Sequence, residues 1–516
     1  MKKMFENKEN IVHLFYEAAK KHPNKAAIIY ENQPISFSAL ENDVRQQAAY
    51  FQQKGIKKGD RVLIFVPMSL DLYRIVLALF SIGATAVFLD EWVSFKRLEL
   101  CCEVAQCKAF IGGWKVRLLA FFSSKLRKMP IQLALDYDKN KENNFSEVIV
   151  KQQDTALITF TTGSTGTPKA AKRTHGFLKA QFEALIEKIE PQPDDIDMPV
   201  LPIVLLINLG AGCTSVIADF KASRPEQLNP QKVVVQLQHF GVNRMVASPF
   251  FVKQMSKYII ANQLKINTLQ KIFTGGAPVF ANEAALYNKA FPTAKIEIVY
   301  GSTEAEPISS INAKTLISEK NDALENGLNV GVPYRKAEVR IIKIEDKVLF
   351  INEIQGLNDI TLADKTIGEI IVKGDHVLRE YFNNEEALKR NKIFINDDCW
   401  HRTGDSGYFE KGVLYLTGRC AALIEHEGKI LSPFMYENFL QSIENVEIAT
   451  ILKQNNKIVA IIEAKKPFYE SIKKEILSQN SAIQDICFIS KIPRDPRHNS
   501  KIDYGKLSTM KTVTRP

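Results

Sequence analysis

Residues 161–169 have the sequence Thr161-Thr162-Gly163-Ser164-Thr165-Gly166-Thr167-Pro168-Lys169. They follow a short apolar run, Ala156–Phe160, that is typical of a buried strand. The two glycines lie three residues apart and let the backbone turn with several N–H groups pointing inward. The hydroxyl groups add hydrogen-bond donors, and Lys169 adds a positive charge. The stretch therefore predicts a loop that binds an anion with many oxygen atoms, such as a polyphosphate.

This loop differs from the Walker A motif, in which a Gly-Lys pair is followed by Ser or Thr. Here Pro168 precedes the lysine and Ala170 follows it. An ordinary Ser/Thr/Gly turn between a strand and a helix is the other interpretation. The combination of two glycines, hydroxyl residues and a lysine favours phosphate binding.

The composition is that of a globular protein with an anionic partner. Of 516 residues, 45% are hydrophobic and 24% are charged, so the chain can bury several cores. The formal net charge of +10 suits a nucleotide, a phosphorylated cofactor or a membrane surface. Because the basic residues form no long tract, we expect no binding to nucleic acid.

The cysteines and the apolar runs predict a cytoplasmic location. Seven cysteines, an odd number thinly scattered, are typical of a reducing compartment. The first residues are charged and form no apolar secretory signal. The longest apolar stretch, Ile75–Leu89, is too short and too interrupted by glycine to span a bilayer.

Strand-like and helix-like segments alternate in the first part of the chain. Arg61–Val66 and Ala86–Leu89 have the pattern of buried strands, and Leu70–Phe80 has that of a helix. This alternation predicts α/β layers with a largely parallel sheet.

After Ile367 the pattern changes to short alternating runs with frequent glycine, such as Gly368–Gly374. Such runs predict a small antiparallel β subdomain with tight turns. We place a domain boundary at Gly418. Residues 1–418 then form a large N-terminal domain, and residues 419–516 suffice for a small α+β domain.

Residues 114–130 interleave aromatic and aliphatic residues with lysines and arginines. One interpretation is a basic amphipathic helix that rests on a membrane, which makes the membrane a possible partner. The other, which we favour, is a surface helix that packs on its own domain. The adjacent Phe121 and Phe122 keep the membrane interpretation open.

Four further motifs follow the phosphate-binding loop. In order, they are Gly275-Gly276-Ala277-Pro278, Tyr300-Gly301-Ser302-Thr303-Glu304, His401-Arg402-Thr403-Gly404-Asp405 and Gly418-Arg419. Together with the loop they resemble the motifs of the adenylate-forming superfamily, which includes acyl-CoA synthetases, nonribosomal peptide adenylation domains and luciferases. The resemblance covers nearly the whole chain. It implies a large AMP-binding domain followed by a small mobile lid.

The resemblance also implies a ligand for each motif. In the family, the loop holds the β- and γ-phosphates of ATP, and the later motifs hold adenine, the α-phosphate with Mg²⁺, and ribose. On this sequence the loop residues are Thr161, Thr162, Gly163, Ser164, Thr165, Gly166 and Lys169, and the adenine residues are Gly276, Ala277 and Pro278. The residues of the central nucleotide motif are Tyr300, Gly301, Ser302 and Thr303, of which Thr303 contacts the α-phosphate. Glu304 is the Mg²⁺ ligand. Asp405, supported by Arg419, accepts hydrogen bonds from the ribose hydroxyls. A solvated glutamate and a turn-forming aspartate are the plain alternatives for Glu304 and Asp405.

The family carries one lysine in its lid that bridges the substrate carboxylate and the α-phosphate. Lys501 and Lys506 both lie in the matching stretch. We choose Lys501, because Ile502 and Leu507 then fall where the family has apolar residues. The other residues that the resemblance implies in catalysis are Lys169, Thr303 and Glu304.

The implied reaction joins ATP and a medium- or long-chain fatty acid into acyl-AMP, with release of pyrophosphate and with Mg²⁺ as cofactor. Transfer to CoA is the expected second step. However, Thr303–Pro307 and Arg497–Ile502 also resemble β-lactone synthetases of bacterial long-chain olefin biosynthesis. In those enzymes the hydroxyl of a β-hydroxy acid displaces AMP within the same molecule. A catalytically silent nucleotide-binding module is the alternative of another class, and the intact set of motif residues speaks against it.

Two apolar stretches, Pro202–Asn208 and Ser248–Val252, lie where the family builds its acyl pocket. Neither carries a charge, so we expect an apolar substrate, with core packing as the alternative for each residue. One departure from the family pattern is Ala421, which replaces the Asp or Lys expected two residues after the hinge arginine.

Overall fold

The structure is a computed structural model that describes residues 9–89, 95–135, 146–161, 168–221, 224–319, 326–479, 482–494 and 502–510. The α-helices in these ranges are Val12–Lys21, Phe37–Gln53, Leu70–Ser81, Phe95–Ala105, Trp114–Ala120, Ser124–Arg127, His175–Ile189, Pro202–Ala211, Pro230–His239, Pro249–Ala261, Ala281–Ala290, Ala313–Ser318, Ile354–Ile360, Glu385–Asn391, Pro433–Ser442, Tyr469–Gln479 and Tyr504–Thr509. None of them combines the length and the apolar character that crossing a bilayer requires.

The largest sheet is mainly parallel. Within the described residues its strands, in spatial order, are Val332–Pro333, Ala305–Asn312, Lys295–Ser302, Lys271–Gly275, Arg244–Ala247, Ile196–Pro199, Thr214–Val216, Ala26–Tyr30 and Gln33–Ser36. The central strands pair in parallel, and antiparallel strands close both edges. The central strands are short apolar runs, because helices cover both faces of a parallel sheet.

A second sheet lies beside the first and shares a core with it. Its strands, in order and again within the described ranges, are Ile131–Leu133, Ala109–Gly112, Arg61–Phe65, Thr85–Phe88, Thr155–Thr161 and Lys169–Thr174. Side chains alternate between its faces. Val62 and Ile64 therefore pack with Ile28 of the first sheet, whereas Leu63 packs on the opposite face with Leu98.

The rest of the chain forms smaller, mainly antiparallel sheets. One contains Leu328–Asn329, Val413–Arg419, Asp398–Glu410, Gly368–Lys373 and Glu338–Ile342, with Lys392–Ile395 paired to Asp398–Glu410. A hairpin of Ile424–His426 and Lys429–Leu431 precedes a sheet of Val446–Gln454, Lys457–Ala464 and Asp485–Ile489. These layers confirm the predicted α/β class with an antiparallel subdomain. The exact boundary at Gly418 stays a prediction.

The structure adds one strand and corrects one local expectation. The strand Lys169–Thr174, which the sequence pattern did not predict, pairs back onto Thr155–Thr161. We treated residues 114–130 as one amphipathic helix, but the chain forms two short helices there. Ser123 ends the first, because its Oγ accepts a hydrogen bond from Leu126 N at 3.4 Å and caps the second.

The buried guanidinium of Arg244 connects the first sheet to helix Pro202–Ala211. Arg244 is fully buried; its Nη1 lies 2.5 Å from Asp195 Oδ2 and its Nε lies 3.3 Å from Asp197 Oδ1. Its Nη2 donates to Asn208 Oδ1 at 2.7 Å. Burial raises the pKa of Asp197, and the guanidinium opposes that rise. One arginine therefore joins two neighbouring strands to the helix that follows them.

Replacing Arg244 with Met should destabilise the protein strongly. Asp195 and Asp197 would then stay buried without a counter-charge, which costs about 3–5 kcal/mol. Urea unfolding, followed by circular dichroism, measures the loss. The control is Arg335→Met, because Arg335 pairs with Glu187 at 2.8 Å with its side chain 72% exposed, and exposed pairs contribute little. Equal shifts in the two variants would contradict the role of the buried network.

Candidate active site

A cleft with a volume of about 2010 Å³ lies at the carboxyl ends of the parallel strands. In open α/β sheets this is the edge where ligands bind. All five sequence motifs contribute residues there. The motif residues that line the cleft are Lys169, Gly275, Gly276, Ala277, Pro278, Tyr300, Gly301, Ser302, Thr303, Glu304, His401, Thr403, Asp405, Gly418 and Arg419.

Asp405 is held from two sides at one end of the cleft. Tyr300 Oη donates to its Oδ2 at 2.8 Å, and Arg419 Nε lies 3.1 Å from its Oδ1. Thr403 Oγ1 accepts from the Asp405 N–H at 3.0 Å. Asp405 raises the pKa of Arg419, and burial together with Asp405 raises that of Tyr300 well above its usual range. Both neighbours therefore stay protonated at neutral pH, and the carboxylate presents a fixed pair of acceptors.

The Gly275–Pro278 turn forms the adjacent wall. A Cβ on Gly275 would lie 2.4 Å from the carbonyl oxygen of Val299 on the neighbouring strand. Gly276 has a φ of +84°, in the left-handed region that glycine adopts without strain. Both glycines are therefore required for the chain to leave the strand and run along the cleft.

Thr303 lies at the tip of the hairpin between Lys295–Ser302 and Ala305–Asn312. Ser302 Oγ accepts from the N–H groups of Glu304 and Ala305, both at 3.2 Å, which fixes this turn. Arg173 Nη2 donates to the Thr303 carbonyl at 3.2 Å. The hairpin thus presents Thr303 to the cleft with a guanidinium behind it.

Glu304 is nearly buried at the far side of the same turn. Its Oε1 accepts from Tyr381 Oη at 3.1 Å. Two lysines approach the same ring, with the Nζ atoms of Lys169 and Lys392 at 5.9 Å and 5.7 Å from its centroid. A carboxylate, a phenol and two cations are therefore concentrated at this end of the cleft.

Burial governs the charge state of these cations. It lowers the pKa of Lys169, against the opposing effect of Glu304, and it lowers that of Lys392 to about 8. Lys169 Nζ donates to Asn391 Oδ1 at 2.9 Å, and Lys392 Nζ donates to a backbone carbonyl. Burial also lowers the pKa of His401 well below its usual value, so this imidazole is neutral at pH 7. An anion that enters the cleft would stabilise the charged form of both lysines.

The arrangement fits a magnesium ion that is carried in by phosphates. Mg²⁺ prefers oxygen ligands and is usually held by one or two carboxylates together with substrate phosphates and water. Glu304 supplies such a carboxylate on the cleft wall. Among the described residues, no cluster of three His, Cys, Asp or Glu side chains could hold a metal ion by itself.

The C-terminal part of the chain closes the cleft with a buried polar trio. Glu437 accepts hydrogen bonds from Tyr504 Oη and, at 2.9 Å, from Thr450 Oγ1. Burial raises the pKa of Glu437 to about 7, although both hydrogen bonds oppose the rise. Glu437 and Tyr504 line the cleft, so the start of helix Tyr504–Thr509 is fixed beside it.

The structure does not describe several of the predicted site residues. Thr162, Gly163, Ser164, Thr165, Gly166 and Lys501 lie outside the described residues, and of Thr161 only the backbone, at the end of its strand, is described. Lys506, the other lysine candidate, is exposed and lies 3.1 Å from Asp503 Oδ2 on its own helix.

Sequence reasoning missed four residues of the site: Arg173 and Asn391 line the cleft, and Tyr381 and Lys392 are buried beside Glu304 and Lys169. Lys169 and Asn391 are 222 positions apart, and neither Asn391 nor Tyr381 carries a local pattern. Lys392 opens an apolar strand and resembles an ordinary surface lysine in sequence. The one sequence feature that could have identified Lys392 is the presence of a charged residue in a short apolar strand.

The two predicted acyl-pocket stretches divide between the cleft and the core. Pro202, Ile203, Leu206 and Phe250 line the cleft, whereas Val204, Leu205, Ile207, Phe251 and Val252 are buried in the core. Lys253 also lines the cleft, but its Nζ lies 3.2 Å from Glu283 Oε1, so its charge is compensated. This wall therefore suits an apolar group.

Comparison with known proteins places this site in context. The model of the AMP-binding enzyme family matches residues 15–382, which include Lys169, Thr303, Glu304 and Tyr381 but end before Asp405. An olefin β-lactone synthetase of Xanthomonas campestris pv. campestris is 30% identical over 415 residues, covering 76% of this chain and 73% of the relative.

Two further similarities extend over almost the whole length. A 4-coumarate–CoA ligase of Petroselinum crispum is 21% identical, covering 93% of this chain and 90% of the relative. The structure of O-succinylbenzoate coenzyme A synthetase (MenE) from Bacillus subtilis, in complex with ATP and a magnesium ion, superposes with a TM-score of 0.78. That protein is 20% identical, and the match covers 96% of this chain and 99% of that one. The fold is thus that of a large N-terminal and a small C-terminal domain.

Replacing Glu437 with Gln should flatten the pH dependence of stability. The pKa of Glu437 is raised from 4.5 to about 7 in the folded state. Its contribution to stability is therefore fully present below about pH 4.5 and is lost as the pH rises through about 7. The difference is on the order of 3 kcal/mol. Thermal melting of the two proteins between pH 5 and pH 8 measures it.

The control for this experiment is Glu444→Gln, which changes an exposed glutamate in the same part of the chain. It should keep the wild-type pH profile. If the Glu437→Gln variant also melts with the wild-type profile, Glu437 is not the titrating group.

Proposed function

Because the chain belongs to the AMP-binding enzyme family, we propose that it activates an apolar carboxylic acid with ATP. The products are acyl-AMP and pyrophosphate, and a medium- or long-chain fatty acid is the substrate class that the apolar wall favours. The observation that carries this proposal is a cleft lined by two opposite charges, the fixed carboxylate of Asp405 and the cation of Lys169, with Lys392 buried near Lys169.

Formation of acyl-AMP requires a positively charged site for the phosphates, separate from the carboxylate of Asp405. A carboxylate is a poor electrophile, since its charge repels nucleophiles and oxide is a bad leaving group. Attack of its oxygen on the α-phosphorus forms a C–O–P linkage and breaks the bond to pyrophosphate, which leaves with the electron pair. Two anions must meet in this step, so positive charge has to be in place beforehand.

Each end of the cleft has a distinct task in this proposal. Asp405 accepts hydrogen bonds from the ribose hydroxyls, and Arg419 and Tyr300 keep its carboxylate oriented. Lys169 leaves the Asn391 amide to pair with the phosphates. Mg²⁺, when bound at Glu304, neutralises phosphate charge. Lys501 of the C-terminal domain contacts the substrate carboxylate and the α-phosphate.

For the second step we propose transfer of the acyl group to the thiol of CoA. The thiol sulfur attacks the acyl carbon, AMP leaves, and the thiol proton is released. The general support for this acceptor is the similarity to 4-coumarate–CoA ligase over 93% of the chain.

A second candidate is closure of a β-lactone, and a specific observation favours it. The relative at 30% identity is an olefin β-lactone synthetase. In this reaction the substrate's own 3-hydroxyl oxygen attacks the acyl carbon, AMP leaves, the hydroxyl proton is released, and a four-membered ring forms. No thiol is then needed, and a 3-hydroxy acid is the required substrate.

A product assay separates these outcomes. The enzyme is incubated with ATP, Mg²⁺ and matched plain and 3-hydroxy fatty acids, with and without CoA, and the products are identified by mass spectrometry. We expect acyl-AMP and pyrophosphate with both acids and a thioester when CoA is added. A lactone formed only from the 3-hydroxy acid, with or without CoA, would support the second candidate. Pyrophosphate exchange at background for every acid would show a catalytically silent module instead.

The choice between the two lysines is tested by replacement. Lys501→Ala should lower ATP–pyrophosphate exchange about 100-fold, since it removes a charge at the reacting groups. Lys506→Ala should retain most activity, because Lys506 is exposed and paired with Asp503 on its own helix. The reverse order of activities would show that Lys506 is the catalytic lysine.

A further inference from the structure

Four large apolar side chains protrude from one short segment of the surface. Trp114, Leu118, Phe121 and Phe122 are 68%, 51%, 68% and 78% exposed. Single exposed hydrophobic residues are common in proteins, but a contiguous exposed cluster marks a binding surface. We call these four residues the apolar ridge.

The ridge is fixed to the domain from beneath. Ala120 and Leu126 are buried in the same core as helix Phe95–Ala105. Ser123 Oγ lies 3.1 Å from Glu99 Oε1, to which it donates, and it also caps the second short helix. The segment thus buries one set of apolar side chains and holds the ridge outward. Packing of this segment on its own domain accounts for the buried side chains, such as Ala120 and Leu126. It does not account for the four exposed side chains of the ridge.

The surroundings of the ridge are positively charged. Residues 95–135 contain eight lysines and arginines and two acidic residues, so they carry +6 of the chain's net charge of +10. Arg117, Arg127 and Lys128 are exposed in the same segment as the ridge. The segment that carries the ridge, together with the helix that packs against it, therefore has an excess of positive charge.

This surface adjoins the cleft. Helix Phe95–Ala105 packs against the segment that carries the ridge, and it exposes Phe95 and Leu100 to solvent. Arg97, on the same helix, lines the cleft. One helix therefore borders both the basic surface and the wall of the cleft.

We propose that the ridge and its basic surroundings dock onto the surface of an anionic lipid bilayer. The apolar side chains enter the headgroup region, while Arg117, Arg127 and Lys128 pair with lipid phosphates. The arrangement is that of an interfacial segment, since none of the described helices can cross a membrane. If the proposed function holds, docking also places the cleft beside the phase in which an apolar acid accumulates.

The positive charge around the ridge distinguishes between the candidate binding partners of this surface. A second copy of the chain would bring two surfaces of the same positive charge together, which repel each other. A neutral apolar partner would leave the concentrated basic residues without a role. An anionic bilayer matches both the apolar ridge and the cations around it.

Co-sedimentation with vesicles tests the proposal. The full chain is mixed with vesicles of phosphatidylcholine alone or of phosphatidylcholine with phosphatidylglycerol, at low and high salt. We expect binding to the anionic vesicles at low salt, with a marked loss at high salt. Phe121→Ser combined with Phe122→Ser should lower the vesicle partition coefficient at least tenfold.

The matched control is Phe350→Ser combined with Ile354→Ser, which removes two exposed apolar side chains elsewhere and should leave vesicle binding unchanged. Thermal melting verifies that both double variants are folded, and it does not depend on catalysis. Three results would overturn the proposal: no sedimentation of the wild type with anionic vesicles, equal sedimentation of the Phe121/Phe122 variant, or a loss of self-association in that variant while vesicle binding persists.

Discussion

The cleft brings together charged side chains that are partly or fully buried, among them Asp405, Lys169 and Lys392. A buried charge is costly unless a partner compensates it. Asp405 has Arg419 and Tyr300 as fixed partners, whereas Lys169 and Lys392 are held by an amide oxygen and a backbone carbonyl. The charge of the two lysines is thus only partly compensated, which favours the binding of an anion in the proposed reaction.

One hairpin couples the two ends of the cleft. Lys392 and His401 are paired residues of adjacent strands, and Asp405 lies farther along the second of these strands. Asn391, immediately before the hairpin, contacts both Lys169 and His401. A displacement of this hairpin would therefore move Lys392 and Asp405 together. In the proposed reaction, the hairpin keeps the cationic phosphate site and the ribose-binding carboxylate at a fixed distance from each other.

Much of the fold and part of the site could be predicted from the sequence. The apolar strands and the motif residues Glu304 and Asp405 have local patterns, and the structure brings them to one cleft. The strand Lys169–Thr174 was missed because its charged residues hide the alternation, and only pairing with Thr155–Thr161 makes it a strand. The contact of Glu437 with Tyr504 joins residues 67 positions apart, which no local pattern in one sequence encodes.

The predicted start of the C-terminal domain is in direct contact with the Asp405 end of the cleft. Arg419 contacts Asp405 and is followed by a short 3₁₀ turn, Cys420–Ala422, where the family pattern has a charged hinge residue. Rotation of this domain would have to break or carry along the Arg419–Asp405 contact. In the proposed lactone route no thiol has to enter, so such a rotation is less necessary than in thioester formation.

The proposed function requires that the cleft bind a nucleoside triphosphate between Asp405 and the Lys169–Glu304 end. A crystal structure with a non-hydrolysable ATP analogue and Mg²⁺ would show whether it does. We expect the ribose hydroxyls on Asp405, the β- and γ-phosphates at residues 161–169 and the metal ion beside Glu304. Density for the analogue at another place, with the cleft occupied by solvent alone, would exclude this binding mode.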